Sequence, residues 1–213
     1  MLEKRMTRVF SYLVAAGLVA CLGSFEAEAQ DHQYVGAAKC KSCHSKDLMG
    51  DQYGAWKDGV HAGALETLKS EKATKIATER GVDGPPHEAA ECLRCHVTAF
   101  EAEASAIKYP IAKKDGVQCE SCHGPGNGYR KKKVMADREQ SIAKGMWEPG
   151  KNAEVCTACH NEESPTANPF DFAAAKEKIK HPIPEDVKGN YIALEKKLKA
   201  EKRAKGGGDQ DED

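Results

Sequence analysis

Apolar residues along this chain recur at helical rather than strand spacing. From about residue 51 to residue 80, Trp56, Val60, Ala64 and Leu68 follow one another at four-residue intervals, with His61 and Leu65 beside them. That pattern predicts one amphipathic helix with a single apolar stripe. Gly81 is a natural stop for it, and Val82-Asp83-Gly84-Pro85-Pro86 reads as a loop. A second, shorter helix is expected through residues 92–96 and on to about Ala106. Gly124-Pro125-Gly126-Asn127-Gly128 has to be a turn. Residues 170–180 predict a helix that ends before Pro182, because the residue preceding a proline avoids the helical region. Residues 191–205 are highly charged and helix-prone, and Gly206-Gly207-Gly208 with the acids after them reads as a disordered end. No stretch alternates as a strand does, so the fold class is mainly α.

The first residues follow different rules. Lys4, Arg5 and Arg8 precede an apolar run from Val9 to Leu22, too short and wrongly flanked for a spanning helix, which is the form of an export signal. Two cleavage readings stand side by side. Ala27-Glu28-Ala29 is a small-x-small site that starts the mature chain at Gln30, and Leu18-Val19-Ala20-Cys21 resembles a bacterial lipobox with Cys21 as the lipidated residue. The division expected is a signal over 1–29 (or a lipoprotein signal ending before Cys21), one domain over 30–190, and a charged helical, then disordered tail over 191–213. The location expected is the periplasm, or attachment to a membrane through Cys21.

Composition sharpens this picture. Hydrophobic residues make up 40% of the 213, aromatics 6% and charged residues 31%, a thin supply for a conventional core. Something other than side chains is expected to fill the interior. The net charge of −1 gives no basic excess that suits a nucleic acid. Charge is nevertheless uneven, with a basic run at residues 130–133 and an acidic end at 209–213, both expected as solvated surface.

Of the nine cysteines, eight fall into one pattern repeated four times: Cys40-Lys-Ser-Cys43-His44, Cys92-Leu-Arg-Cys95-His96, Cys119-Glu-Ser-Cys122-His123 and Cys156-Thr-Ala-Cys159-His160. Two thiols two residues apart sit on one side of a helical turn and form thioethers with the two vinyl groups of one porphyrin, while the adjacent histidine reaches the iron. Structural disulfides do not require a histidine after every pair, zinc sites do not repeat it four times in register, and a thioredoxin-like site needs one such motif in a βαβ setting. The cofactors expected are four haem c groups, whose porphyrin faces supply the missing interior. The fold is then dictated by haem, and the apoprotein is expected to be largely unfolded.

Each iron needs a second axial ligand or stays open on one face. The histidines outside the motifs are His32, His61, His87 and His181. His61 lies next to an apolar stripe, His181 is held by Pro182, His87 follows Pro85-Pro86, and His32 lies closest to the mature N-terminus. Met49, Met135 and Met146 are the methionine alternatives. Paired histidines lack the potential-raising methionine and imply low-potential haems.

With these residues in view, the chain resembles the tetrahaem cytochrome c-554 family, from residue 34 to about 184. Trp56-Lys57-Asp58-Gly59-Val60-His61-Ala62 is similar to that family's distal-histidine helix, and residues 116–126, Gly-Val-Gln-Cys-Glu-Ser-Cys-His-Gly-Pro-Gly, to its third-haem signature. The resemblance implies helices wrapped around stacked haem pairs, three irons with two histidines each, distal roles for His61 and His181, and an open distal face on the haem of Cys92, Cys95 and His96. One departure stands out. The family supplies another distal histidine soon after its third motif, and residues 124–155 contain none, so His87 replaces it or that haem is open too.

The function expected is transfer of electrons between redox partner proteins, whether cytochromes, quinone-linked complexes or oxidoreductases, with no substrate turned over. The alternative is an enzyme that binds and reduces nitric oxide or a related small nitrogen species at an open iron; a redox or gas sensor is the third reading.

Overall fold

A computed structural model describes residues 32–166, 169–181 and 183–204. Both cleavage readings, with Cys21 and Gln30, and the acidic end of the tail lie outside the described residues.

Among the described residues the chain forms eleven short α-helices. They are α1 (Ala38–His44), α2 (Gln52–Lys57), α3 (Ala64–Thr67), α4 (Glu71–Glu79), α5 (Ala90–His96), α6 (Cys119–His123), α7 (Lys132–Met135), α8 (Arg138–Ala143), α9 (Glu154–Thr157), α10 (Phe172–Ile179) and α11 (Tyr191–Ala204). The described residues contain no strand, only an isolated parallel bridge between Tyr34 and Ile107. The chain is mainly α, as its spacing of apolar residues implies. None of the described helices is long and apolar enough to cross a membrane.

The single helix expected over 51–80 is instead three: α2, α3 and α4. Asp51 starts α2, its carboxylate accepting from Gly54 N at 3.0 Å. The helix stops at Lys57 because Asp58-Gly59 follows, and glycine in a helix interior costs about 1 kcal/mol relative to alanine. The turn is then also held from outside: His61 O accepts from Val117 N at 2.9 Å as well as from Ala64 N at 3.2 Å. Val60, placed on the apolar stripe by its spacing, is 77% exposed. Ser70 restarts the helix by accepting from Ala73 N at 3.2 Å. Gly81, with φ +67°, ends it, and Val82 N closes the turn on Ala77 O at 2.9 Å.

The expected continuation of the 92–96 helix to about Ala106 is also corrected. α5 ends at His96, Val97 is extended, and Thr98 N donates to Gly116 O at 3.1 Å while Thr98 Oγ1 accepts from Gln118 N at 2.6 Å. Only a 3-10 turn at Ala104–Ala106 follows. The helices expected near 170–180 and 191–205 are α10 and α11.

Apolar burial is divided. One cluster joins Leu65 and Leu68 to Leu93 and Val97, with Cys92 and Phe100 against it. A second joins Met49 to Val187 and Tyr191, so that α11 closes over the chain just after α1. Apart from both stands a buried polar hub. Glu120 in α6, 1% exposed, accepts from Val35 N, Gly36 N and Gly126 N at 2.6–3.1 Å, and Gln118 Oε1 accepts from Ala37 N at 2.8 Å.

Candidate functional site

The four motifs occupy α1, α5, α6 and the turn that begins in α9, so each presents its two thiols from one helical turn. All eight thiols are free of disulfides and half-buried. The motifs are also neighbours. The Cys40 and Cys119 thiols interact directly, Cys40 holding its proton well above the usual thiol range because it donates to Cys119 and is buried. Cys122 lies near Cys156, and burial followed by that neighbour pushes its pKa up to about 11. Cys159 meets Cys95 and is pushed up to about 12, by burial first. The helices of the third and fourth motifs are in contact. Read through the thiols, the motifs run first, third, fourth, second.

Two of the motif histidines face a histidine from elsewhere in the chain. His61 and His160 have ring centroids 6.1 Å apart at 74°, and His181 and His123 are 5.9 Å apart at 48°. A metal–imidazole bond of about 2 Å, with about 1 Å more from nitrogen to ring centre, sets two axial rings about 6 Å apart. Both pairs therefore have the separation that one iron between them requires.

In each pair one ring is held toward the neutral form that ligation demands. Burial first, then His181 and His44, lowers the pKa of His123 to about 4. His61 is lowered by burial and by His160. His123 O is held by Trp147 N and the Tyr129 hydroxyl, both at 2.9 Å. Phe170 stacks on the His160 ring at 5.1 Å and 15°.

The other two motif histidines are tied at Nδ1. His96 Nδ1 reaches Ala64 O at 2.7 Å, and His44 Nδ1 reaches Gln52 Oε1 at 3.2 Å. An oxygen there makes Nδ1 the protonated nitrogen and leaves Nε2 for a metal. With free thiols in pairs and a metal-ready nitrogen beside each, the residues fit haem c at all four motifs.

The remaining candidates lie elsewhere. His87 lines a cavity of about 420 Å³ with Leu68, Ala77, Val82 and Pro86, beside Glu88 Oε1 at 3.7 Å, and pairs with no motif histidine among the described residues. His32 rests on Gly145. Met49 is buried against Val187 and Tyr191. No group of three His, Cys, Asp or Glu converges as a metal cage among the described residues. The glycines after the third motif make room for protein: a Cβ on Gly124 would lie 2.9 Å from the Trp147 ring, and one on Gly126 3.1 Å from Glu120. Sequence reasoning missed Glu120, Phe170 and Gln52. Only Glu120 left a signal, as an acid inside a motif otherwise of neutral and basic residues.

Residues 39–124 match the family profile described as cytochrome c554 and c-prime. Cytochrome c-554 of Nitrosomonas europaea is 33% identical over 165 residues, covering 70% of this chain and 68% of that protein. No solved structure matches.

Proposed function

This chain belongs to the cytochrome c-554 family and is therefore a c-type cytochrome that carries electrons on haem c; we propose that it does so with four haems, outside the cytoplasmic membrane, between redox proteins. The observation that carries this reading is the pair of facing histidines at each of two motifs, together with the contiguous order of the thiols. The bound haems supply one-electron chemistry; the polypeptide sets their ligands and spacing. His61 and His160 would hold the iron of the fourth motif, and His181 and His123 that of the third. The neighbouring thiols would bring the haem sites of the first, third, fourth and second motifs together in that order, the contiguity that electron transfer along the chain of sites needs. Export rests on the apolar N-terminal run, with either Gln30 or a lipidated Cys21 as the mature end.

The mass of the mature holoprotein counts its covalent haems and identifies its first residue. Electron paramagnetic resonance of the oxidised protein tests the ligands: His61→Ala and His181→Ala each convert one low-spin haem to high-spin. An unchanged low-spin count in either variant overturns the assignment.

One observation favours the second reading. Among the described residues no second imidazole faces His96 or His44, and the family resemblance assigns the open face to the second motif, so reduction of nitric oxide or a related nitrogen species there is the alternative. Nitric oxide consumption no faster than that of free haem would end it.

A further inference from the structure

We propose that the face around the first motif is a docking surface for an acidic redox protein. The inference rests on the electron-carrier reading and adds the chemistry of the partner. In the sequence the basic run at 130–133 has the look of ordinary solvated surface. The fold lays it beside α1, which carries Lys39 and Lys41 and is followed by Lys46. Lys39 Nζ lies 4.4 Å from the Tyr109 ring centre, and the Arg130 guanidinium 5.8 Å from the same ring. Lys46 and Lys132 share a second anchor. Lys46 Nζ reaches Glu195 at 3.3 Å and the Tyr191 hydroxyl at 3.4 Å, while Lys132 pairs with Glu195 and sits 5.2 Å from the Tyr191 ring. Lys41 lies 5.5 Å from the Tyr53 ring.

The acids of this face do not cancel its cations. Glu120 is buried among backbone N–H groups, Glu195 is shared by two lysines, and Asp47, next to Lys46, is exposed to solvent. A chain of net charge −1 thus concentrates positive charge at one end of its thiol relay. That arrangement attracts and orients an acidic partner and raises the encounter rate. Cations already resting on aromatic rings lose less freedom when the partner arrives. An anionic membrane is the poorer fit, because an interfacial anchor needs apolar side chains to insert, and the large exposed hydrophobics, Val60, Ile142, Trp147, Ile179, Ile183 and Leu198, are all outside residues 39–46 and 130–133.

The test is stopped-flow reduction of the oxidised holoprotein by flavodoxin hydroquinone, an acidic one-electron donor, at low and high salt. The face variant is Lys41→Glu, Lys131→Glu, Lys133→Glu. A control carries the same charge change elsewhere, as Lys72→Glu, Lys75→Glu, Lys178→Glu, all on exposed residues of α4 and α10. The wild-type rate constant falls about tenfold as salt rises and screens the attraction. The face variant is about tenfold slower than wild type at low salt and loses most of its salt dependence, while the control keeps at least half of the wild-type rate. Equal slowing by both variants, or by neither, overturns the docking face and leaves the carrier reading standing. So does loss of binding to phosphatidylglycerol vesicles in the face variant with an unchanged flavodoxin rate. A holoprotein that exchanged electrons with neither flavodoxin nor hexacyanoferrate would overturn the carrier reading, and the docking face with it.

Discussion

Glu120 shows what a single residue does in a protein with so little apolar core. Its two carboxylate oxygens accept from three backbone N–H groups that belong to two distant segments, residues 35–36 and residue 126, and so fix the chain entering the first motif against the chain leaving the third. Glu120→Gln replaces one acceptor by an NH2 group, which then faces a backbone donor; leaving such a buried donor unpaired costs about 2 kcal/mol. Denaturant unfolding of the holoprotein measures it, and equal stabilities would deny Glu120 this role. The pH dependence has a definite sign. Burial raises the folded-state pKa of Glu120 above its unfolded value, with the backbone hydrogen bonds offsetting part of the rise. A group shifted in that direction contributes stability that is full below the unfolded pKa and is lost as pH rises through the folded one. The stability of wild type relative to the glutamine variant therefore declines as pH rises through that window. At this scale the thiols and the pairing histidines were legible in the sequence, because their chemistry requires a fixed spacing or a named residue type. Glu120 was legible only as an acid inside a motif, since nothing local distinguishes a buried acid from an exposed one.

Elements are positioned here by contacts between segments more than by their own propensity. The periodicity of residues 51–80 is that of one helix, and the outcome is three, because a hydrogen bond from Val117 N to His61 O and another from Trp56 Nε1 to Val117 O at 2.8 Å dock the 56–62 turn on the approach to the third motif. Local pattern could not reveal a partner sixty residues away. The same docking decides where His61 points. Gly116 sits beneath the turn at φ +60°, and a Cβ there would lie 2.7 Å from His61 O and 2.8 Å from Ala62 O. Gly116→Ala therefore costs about 3 kcal/mol, in backbone strain and in displacement of the turn. Its distinguishing readout is spectroscopic: tilting His61 away from His160 shifts the fourth-motif haem toward high spin and leaves the third-motif haem low-spin. A variant that is destabilised with an unchanged spectrum would show that the turn does not set the ligand.

For the molecule as a whole, the thin apolar supply read from composition is realised as two small clusters and a buried polar hub. Four buried apolar residues in one cluster and three in the other cannot offset the cost of ordering so long a chain, which runs at about 1–2 kcal/mol per residue for the backbone alone. On the four-haem reading proposed above, haem provides the common core, and which one is lost matters. The third motif touches both of its neighbours in the relay, through Cys119 to Cys40 and through Cys122 to Cys156, and its helix carries Glu120. The second motif lies at the end of the relay, against Cys159 and the Leu65–Leu93 cluster. Replacing Cys119 and Cys122 by alanine removes a centre between two others, and the product unfolds without a cooperative transition. Replacing Cys92 and Cys95 removes a terminal centre and leaves a sigmoidal melt at lower temperature. Circular dichroism of the two variants, each checked for its remaining haems by mass, distinguishes them: equal melting behaviour would mean that the haems stabilise the chain additively, with no privileged place for the third.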